Sequence, residues 1–398
     1  MTFPSPGSTC YCVSLEASVA AKSARLLYVV NDARFFLSHR LTLALAAAQT
    51  GYQIHVATPD SPAVERIRKF GFVFHPVLVS RRGMHPIREL SSLCSLYRLY
   101  RSLQPDLVHH VTIKPVLYGG IAARLAGVPA VVSAVTGLGH VFVAKGHKAA
   151  FLRFFVKLAY RFALGHPNSK VILQNPDDRL SFTAAKLVTA ESAVLIKGAG
   201  VDTREFVPAP EAEKSLVVLL AARMLWSKGV SEFVHAARQL RAEGLHARFV
   251  LVGTPDEGNP LAVPSERLRE WDRSGVVEWW GYRNDMPAVF AQAHVVCLPT
   301  TYGEGVPKVL IEAAACARAI VATDVPGCRE IVLDGETGLL VPPQNVSALA
   351  EGIRTLLENP ERRRTMGQRG REIVEREFAI EKVVRETLAV YRTLVALP

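Results

Sequence analysis

The sequence predicts an α/β protein built from two Rossmann-like, doubly wound parallel-sheet domains facing a central cleft. Three observations predict it. Short apolar runs alternate with helical patterns through the first half. A stretch rich in Gly, Pro and charge interrupts the pattern at residues 196–215, and a second alternating series follows it. Strands separated by helix-length segments need crossovers, which are right-handed and give parallel sheets. Such sheets bind ligands beyond the carboxyl ends of their strands, so the cleft is the expected site. A chain of 398 residues has room for two domains of ordinary size.

In the first series "RLLYVV" (25–30), "YQIHVAT" (52–58), "FVFHPVL" (72–78), "DLVHHV" (106–111), "PAVVSAV" (129–135) and "KVILQ" (170–174) read as strands. Helices are expected near 37–50, 62–70, 87–103, 115–126, 147–164 and 176–187. Pro115 suits a first helical turn, and Gly51, Gly71 and Gly127 stand just past helix ends. In the second series "SLVVLLAA" (215–222), "ARFVLVG" (247–253), "VVEWWG" (276–281), "HVVCLPT" (294–300), "AIVAT" (319–323) and "GLLVP" (338–342) are the strands. Charged amphipathic helices close the chain from about 345 to 395. Residues 1–24 read as a loose leader, with no basic start followed by an apolar run.

Composition excludes several classes. With 49% hydrophobic and 21% charged residues the chain is globular, without collagen-like, coiled-coil or low-complexity bias. Six cysteines are scattered, and Cys10 and Cys12 have no second pair with which to complete a zinc site, so reduced thiols are expected. The uncharged stretches 41–59 and 125–144 need a membrane check. The second carries three Gly, a Pro and a His, and reads better as a buried strand and a loop. Charge is uneven: residues 1–200 carry a net +14 and the remainder −3. The basic half is expected to face something anionic.

Four stretches of the second domain carry candidate chemistry. In "ARMLWSKGV", Arg223 and Lys228 stand at a strand exit where a helix begins, two cations suited to a diphosphate. In "VLVGTPDEGNP" a strand ends at Gly253 in a loop able to pass close to a ligand. In "WWGYRNDMPAVF", Gly281, Tyr282 and Arg283 form a turn against which a base could lie, or a plain connection capped by Asn284 or Asp285. In "GEGVPKVLIEA", Gly303 and Gly305 relieve crowding and Pro307 suits a first helical turn. The amides of Val306, Lys308 and Val309 are then expected to point into the cleft. Glu304 and Glu312 could be an acid/base couple or one side of a ligand cradle. Helical geometry puts them about 80° apart around the axis. A glycosidase pair must flank one bond at about 5 to 9 Å, and this pair shares its site with a phosphate-binding cluster, which favours the cradle.

Taken in order, R-x4-K-G, a glycine turn after a strand, and E-x7-E ahead of "ATDVPGCREIV…GETGLLVPP" resemble the donor domain of family 4 retaining glycosyltransferases with the GT-B fold. "GAGVDTREFVP" resembles that family's interdomain signature. "NDARFFLSHRLTLA" and "HHVTIKPVLYGGIAARLAGVPAVVSAVTGLGHVF" resemble the bacterial members that build O-antigen, capsule or linked glycans on undecaprenyl diphosphate. The resemblance implies an acceptor- and membrane-facing domain over 25–200 and a nucleotide-sugar donor domain over 201–375. A helix over 376–398 would then pack back toward the first domain. It implies that Arg223 and Lys228 bind the donor diphosphate and neutralise the leaving group, that Glu304 holds sugar hydroxyls and Glu312 the ribose, and that residues 306–309 supply backbone N–H groups. Gly305 and Pro307 would shape that cradle. Ala317 and Ala319 depart from the Gly and Pro that the family usually shows, at a helix end away from the expected donor contacts, so little effect on chemistry is expected.

The reaction implied moves a sugar, expected to be an N-acetylated hexose from a UDP-sugar, to an acceptor hydroxyl with retention. No enzyme nucleophile and no metal is expected, since no Asp-x-Asp stands where a diphosphate-bound metal would need it. The acceptor implied is a polyprenyl-diphosphate-linked saccharide at an anionic membrane surface, and the location the inner face of the bacterial cytoplasmic membrane. In "KGHKAAFLRFFVKLAYRFAL", Phe151, Phe154, Phe155, Leu158 and Phe162 share one helical face and Lys145, Arg153, Lys157 and Arg161 another. That is the pattern of a helix in a membrane interface or of a domain helix with a solvated basic edge. Further acceptor-side candidates at strand exits or helix starts are His110 and Lys114, then His109, the loop 136–140 with Gly137 and His140, and Ser38, His39 and Arg40. One rival is a nucleotide-sugar epimerase of the same architecture. A nucleic-acid-binding protein is disfavoured because no zinc, helix-turn-helix or RNA-motif signature accompanies the basic half, so no nucleic-acid partner is expected.

Overall fold

A computed structural model describes residues 23–79, 86–135, 147–212, 215–256 and 258–396; side chains of 86 and of 147–155 are outside that description. Thirteen strands form two all-parallel sheets among these residues. The first contains β1 (Arg25–Val29), β2 (Gln53–Thr58), β3 (Val73–Pro76), β4 (Leu107–Val111), β5 (Ala130–Val135), β6 (Ser169–Leu173) and β7 (Ala193–Leu195), in the order β3-β2-β1-β4-β5-β6-β7. The second contains β8 (Val217–Ala221), β9 (Arg248–Val252), β10 (Glu278–Trp279), β11 (Val295–Leu298), β12 (Ala319–Thr323) and β13 (Gly338–Val341), in the order β10-β9-β8-β11-β12-β13. Every residue of β4, β5, β8, β11 and β12 is buried. Central parallel strands covered on both faces have no wet side to alternate with, which explains the continuous apolar runs of β8 and β11.

Strand order reverses between β1 and β4 in one sheet and between β8 and β11 in the other. These are the switch points where crossovers leave to opposite faces and a crevice opens at the strand exits. Arg223 follows β8, Glu304 follows β11, and Lys114 follows β4. The fold thus sets the principal polar candidates at two crevices.

The last helix, Ile380–Leu394, belongs to the first domain's core. Val383, Leu388, Val390 and Tyr391 pack among Tyr28, Tyr52 and the β4 and β5 side chains. The Tyr391 hydroxyl meets Tyr28 Oη at 3.1 Å and His109 Nδ1 at 2.5 Å. The two passages between domains run side by side, Val201 N–H donating to the Phe378 carbonyl and Ile380 N–H to that of Val201.

Some elements differ from expectation. The helix expected at 37–50 begins at Ala33, because the Asp32 carboxylate caps it through Arg34 N–H, and it breaks at Arg40 before Leu41–Gln49. The helix after Pro115 starts as a π-helical turn over Pro115–Gly119. The three residues of β7 were too few to show a period. Pro307 precedes its helix as the N-cap of Lys308–Ala315 rather than entering the first turn.

Candidate active site

Beyond β8 the chain turns through Trp226–Lys228 and closes at Gly229, whose φ of 75° and proximity to Pro299 exclude a side chain; a Cβ there would stand 2.0 Å from the Pro299 carbonyl oxygen. This turn aims Lys228 at the β11 exit. Its Nζ lies 2.5 Å from Glu304 Oε2 and 5.9 Å from the centre of the Tyr302 ring. Both charged groups are largely shielded, at 12% and 15% side-chain exposure. Glu304 Oε1 is buried with no hydrogen-bond partner, a carboxylate oxygen with spare accepting capacity.

Arg223 is more open and pairs with Asp256 at 2.6 Å. Asp256 belongs to the loop after β9 and was missed by reading the sequence, where nothing local joins it to an arginine 33 residues away. Gly253, expected to let a ligand approach, has a backbone reason to be glycine. Its φ is 132° and a Cβ would stand 1.9 Å from the Ala222 carbonyl oxygen, so it lets β9's exit pass over β8's.

The helix Lys308–Ala315 places Lys308 and Glu312 one turn apart, their charges 2.7 Å apart. Glu312 is buried, and burial raises its pKa against the opposing pull of Lys308. Lys308 and Val309 open this helix, where backbone N–H groups lack intrahelical acceptors. Val306 does not join them. Its N–H donates to Gln174 Oε1 at 3.1 Å, and the carbonyls of Glu304 and Gly305 accept from Asn175 Nδ2, so this part of the expected cradle is turned to the first domain instead.

In the turn after β10, Tyr282 is exposed. Arg283 makes a forked pair with Asp285 and lies over the Trp280 ring, 5.7 Å from its centre. Asp285 is the N-cap residue of Met286–Gln292 but makes no capping hydrogen bond, because Arg283 occupies its carboxylate.

The first domain redistributes the acceptor candidates. His110 is a core residue rather than a cleft residue: it is fully buried, its Nε2 lies 2.9 Å from the Tyr100 hydroxyl, and burial pushes its pKa down to about 3. A strand buried on both faces hides every side chain, which the period of β4 could not show. His109 is equally buried. Lys114 is paired, 2.6 Å from Glu89, on a helix the sequence had not connected with it. His39 is half-buried, stacked on Phe35 with ring centres 4.0 Å apart and hydrogen-bonded to Ser38. Burial lowers its pKa to about 3, and the charges of Lys308 and Arg40 add to the shift. Arg40 turns inward and is buried. Gly137, His140 and the Arg153 side chain lie outside the described residues. Lys157 and Arg161 are exposed beside Leu158 and Phe162, which are 56% and 40% exposed.

Two family models match this chain: "Glycosyl transferase 4-like" over residues 25–174 and "Glycosyl transferases group 1" over residues 202–373. Among curated relatives, the chain is 29% identical over 345 residues to the Campylobacter jejuni N,N'-diacetylbacillosaminyl-diphospho-undecaprenol alpha-1,3-N-acetylgalactosaminyltransferase, covering 81% of this chain and 89% of that one. It is 25% identical over 285 residues to the Escherichia coli UDP-Gal:alpha-D-GlcNAc-diphosphoundecaprenol alpha-1,3-galactosyltransferase, covering 68% and 71%. Among solved structures, Anabaena HepE in complex with UDP-glucose superposes with a TM-score of 0.71 at 19% identity, covering 92% of this chain and 99% of that one. The sucrose-phosphate synthase of Thermosynechococcus elongatus reaches 0.75 at 20%, covering 93% and 99%. Two opposed parallel sheets, cations and carboxylates at the switch point of the second, and two models that together cover twelve of the thirteen strands lead to one conclusion: the chain is a GT-B glycosyltransferase of the group 1, family 4-like kind.

Proposed function

We propose that this glycosyltransferase moves an N-acetylated hexose from a UDP-sugar, with retention of configuration, onto a saccharide carried by undecaprenyl diphosphate in bacterial surface-glycan assembly. The observation that carries the donor half is the shielded Lys228–Glu304 pair joining the exits of β8 and β11, with Arg223 also following β8 and Glu312 on the helix that follows β11. The acceptor half is supported by relatives named for diphospho-undecaprenol substrates along most of their length. The UDP complex of a structural neighbour supports the base.

In this reading Arg223 and Lys228 meet the charge that grows on the leaving diphosphate as the bond from the anomeric carbon to the phosphate oxygen breaks. Side-chain cations held in a shielded site stabilise such charge strongly. The acceptor oxygen attacks from the same face, and its proton passes to the departing phosphate oxygen, so atoms balance without an enzyme nucleophile. Glu304 Oε1, buried and unpartnered, accepts a hydroxyl of the donor sugar, and Glu312 accepts from the ribose. The two cations supply the positive charge in place of a metal, and EDTA is expected to leave the rate unchanged. Among the described residues no helix is long and apolar enough to cross a membrane. The exposed Lys157, Leu158, Arg161 and Phe162 suit contact with an anionic lipid surface on the cytoplasmic side.

The test is a panel of nucleotide-sugars screened for thermal stabilisation, followed by transfer onto a polyprenyl-diphosphate saccharide with NMR assignment of the new linkage. A new α-linked product is expected from a UDP-N-acetylhexosamine. Isomerised donor without transfer would replace this reading with an epimerase.

A further inference from the structure

The β6 exit, with the sequence "LQNPDD", contains two amide side chains that the donor and acceptor roles above leave unused. Gln174 is 6% exposed and Asn175 0% exposed. Both make hydrogen bonds to the other domain, and Asn175 Nδ2 also donates to Asp178 Oδ2 at 2.9 Å. Gln174 Oε1 accepts the Val306 N–H at 3.1 Å, and Asn175 Nδ2 donates to the carbonyls of Glu304 and Gly305 at 3.2 and 3.1 Å. The Glu304 N–H is taken from the other side by the Pro326 carbonyl. Four of the five backbone groups from the Glu304 N–H to the Val306 N–H are therefore held, three of them by the first domain. Asn175 does this while capping its own helix, its Oδ1 accepting the Asp178 N–H at 2.7 Å.

We infer that Gln174 and Asn175 are positioning residues for the transfer reaction: they hold the Glu304 segment across the cleft so that its carboxylate stands at Lys228. This rests on the proposed function for what Glu304 does, but not for the tie itself. A loop with two glycines has little stiffness of its own, and a carboxylate misplaced by an ångström loses much of its effect on rate. The donor site is then complete only when both domains contribute.

Chemistry separates the tie from the cap. Serine caps a helix as well as asparagine does, but it is too short to reach the Glu304 and Gly305 carbonyls, so Asn175→Ser removes the tie and keeps the cap; it also loses the Nδ2 bond to Asp178 Oδ2, which Gln174→Met leaves in place. Gln174→Met removes the acceptor of the Val306 N–H, whereas Gln174→Glu keeps one. Two readouts are needed. Hydrogen exchange of the peptide covering 300–309 is expected to speed up about tenfold in Asn175→Ser and Gln174→Met, with no change in the peptide covering 230–242. Transfer from a UDP-N-acetylhexosamine is expected to lose 10- to 100-fold in kcat in both variants, at a UDP affinity within threefold of wild type, and Gln174→Glu is expected to recover most of it. Unchanged exchange overturns the tie. Faster exchange with wild-type kcat overturns the positioning role. Failure of the wild-type chain to bind UDP would count against the proposed function alone, because the exchange experiment uses no substrate.

Discussion

Replacing Lys228 and Glu304 singly and together separates what the pair does for folding from what each residue does for transfer. The charges are 2.5 Å apart at 12% and 15% exposure. Breaking a fully buried pair from one side costs about 3–5 kcal/mol. These groups line a crevice that water can enter once one is truncated, so about 2 kcal/mol is the expected cost of Lys228→Ala, which leaves the Glu304 carboxylate shielded with both oxygens unpaired. The double variant Lys228→Ala/Glu304→Ala removes the stranded charge and is expected to recover about 1–2 kcal/mol relative to the sum of the singles. Activity behaves otherwise. Lys228→Ala is expected to lose about 10²–10³ in kcat, the scale of one preorganised electrostatic group at a developing anion. Glu304→Ala is expected to lose a similar factor, and the double variant to recover none of it. The assays are urea denaturation and product formation from a UDP-sugar. Additive stabilities, or a Glu304→Ala enzyme within threefold of wild type, would refute the assignment.

Three further outcomes are expected. Changing Arg153, Lys157 and Arg161 together to Glu should abolish binding to vesicles containing anionic lipid while thermal stability stays near wild type, and unchanged sedimentation with vesicles would exclude this helix as the contact. Unfolded histidines take up protons below about pH 6.5, whereas burial lowers His110 to about 3 and burial with His75 lowers His55 to about 4. The unfolded state then binds more protons across that window, so stability falls as pH drops below 6.5, by about 1.4 kcal/mol per pH unit for each of the two; a urea midpoint that stays level between pH 7 and 5.5 would contradict it. Ala317 adopts a φ of 54° just past the helix Lys308–Ala315. A left-handed residue at that place favours glycine, so Ala317→Gly is expected to add about 1 kcal/mol of stability without changing transfer.

The Ala317 case shows how far local reading reaches. The missing glycine was visible as a departure from a family pattern and was judged neutral for chemistry; the strained backbone it leaves appears only once the helix end is seen to turn there. Gly253 is the converse, expected for ligand approach and needed because two strand exits cross. The sheets themselves were legible because central parallel strands buried on both faces, β8 above all, are written as runs of apolar residues. Lys228 and Glu304 were legible too, since strand exits of one parallel sheet converge wherever the chain between them runs.

Composition, period and strand-exit motifs were enough for two doubly wound domains and for cations and carboxylates placed at strand exits, because each depends on residues close together in the chain. The partners of those groups were not. Glu89 lies 25 residues before Lys114, and Gln174 lies 132 residues before Val306. His110, on a strand like its neighbours, proved to be core. Pairing and burial at such distances are set by how helices and sheets pack. The same side chain can meet water, a ligand or the opposite domain with no change in the sequence around it, and it was packing that gave the Val306 amide to Gln174.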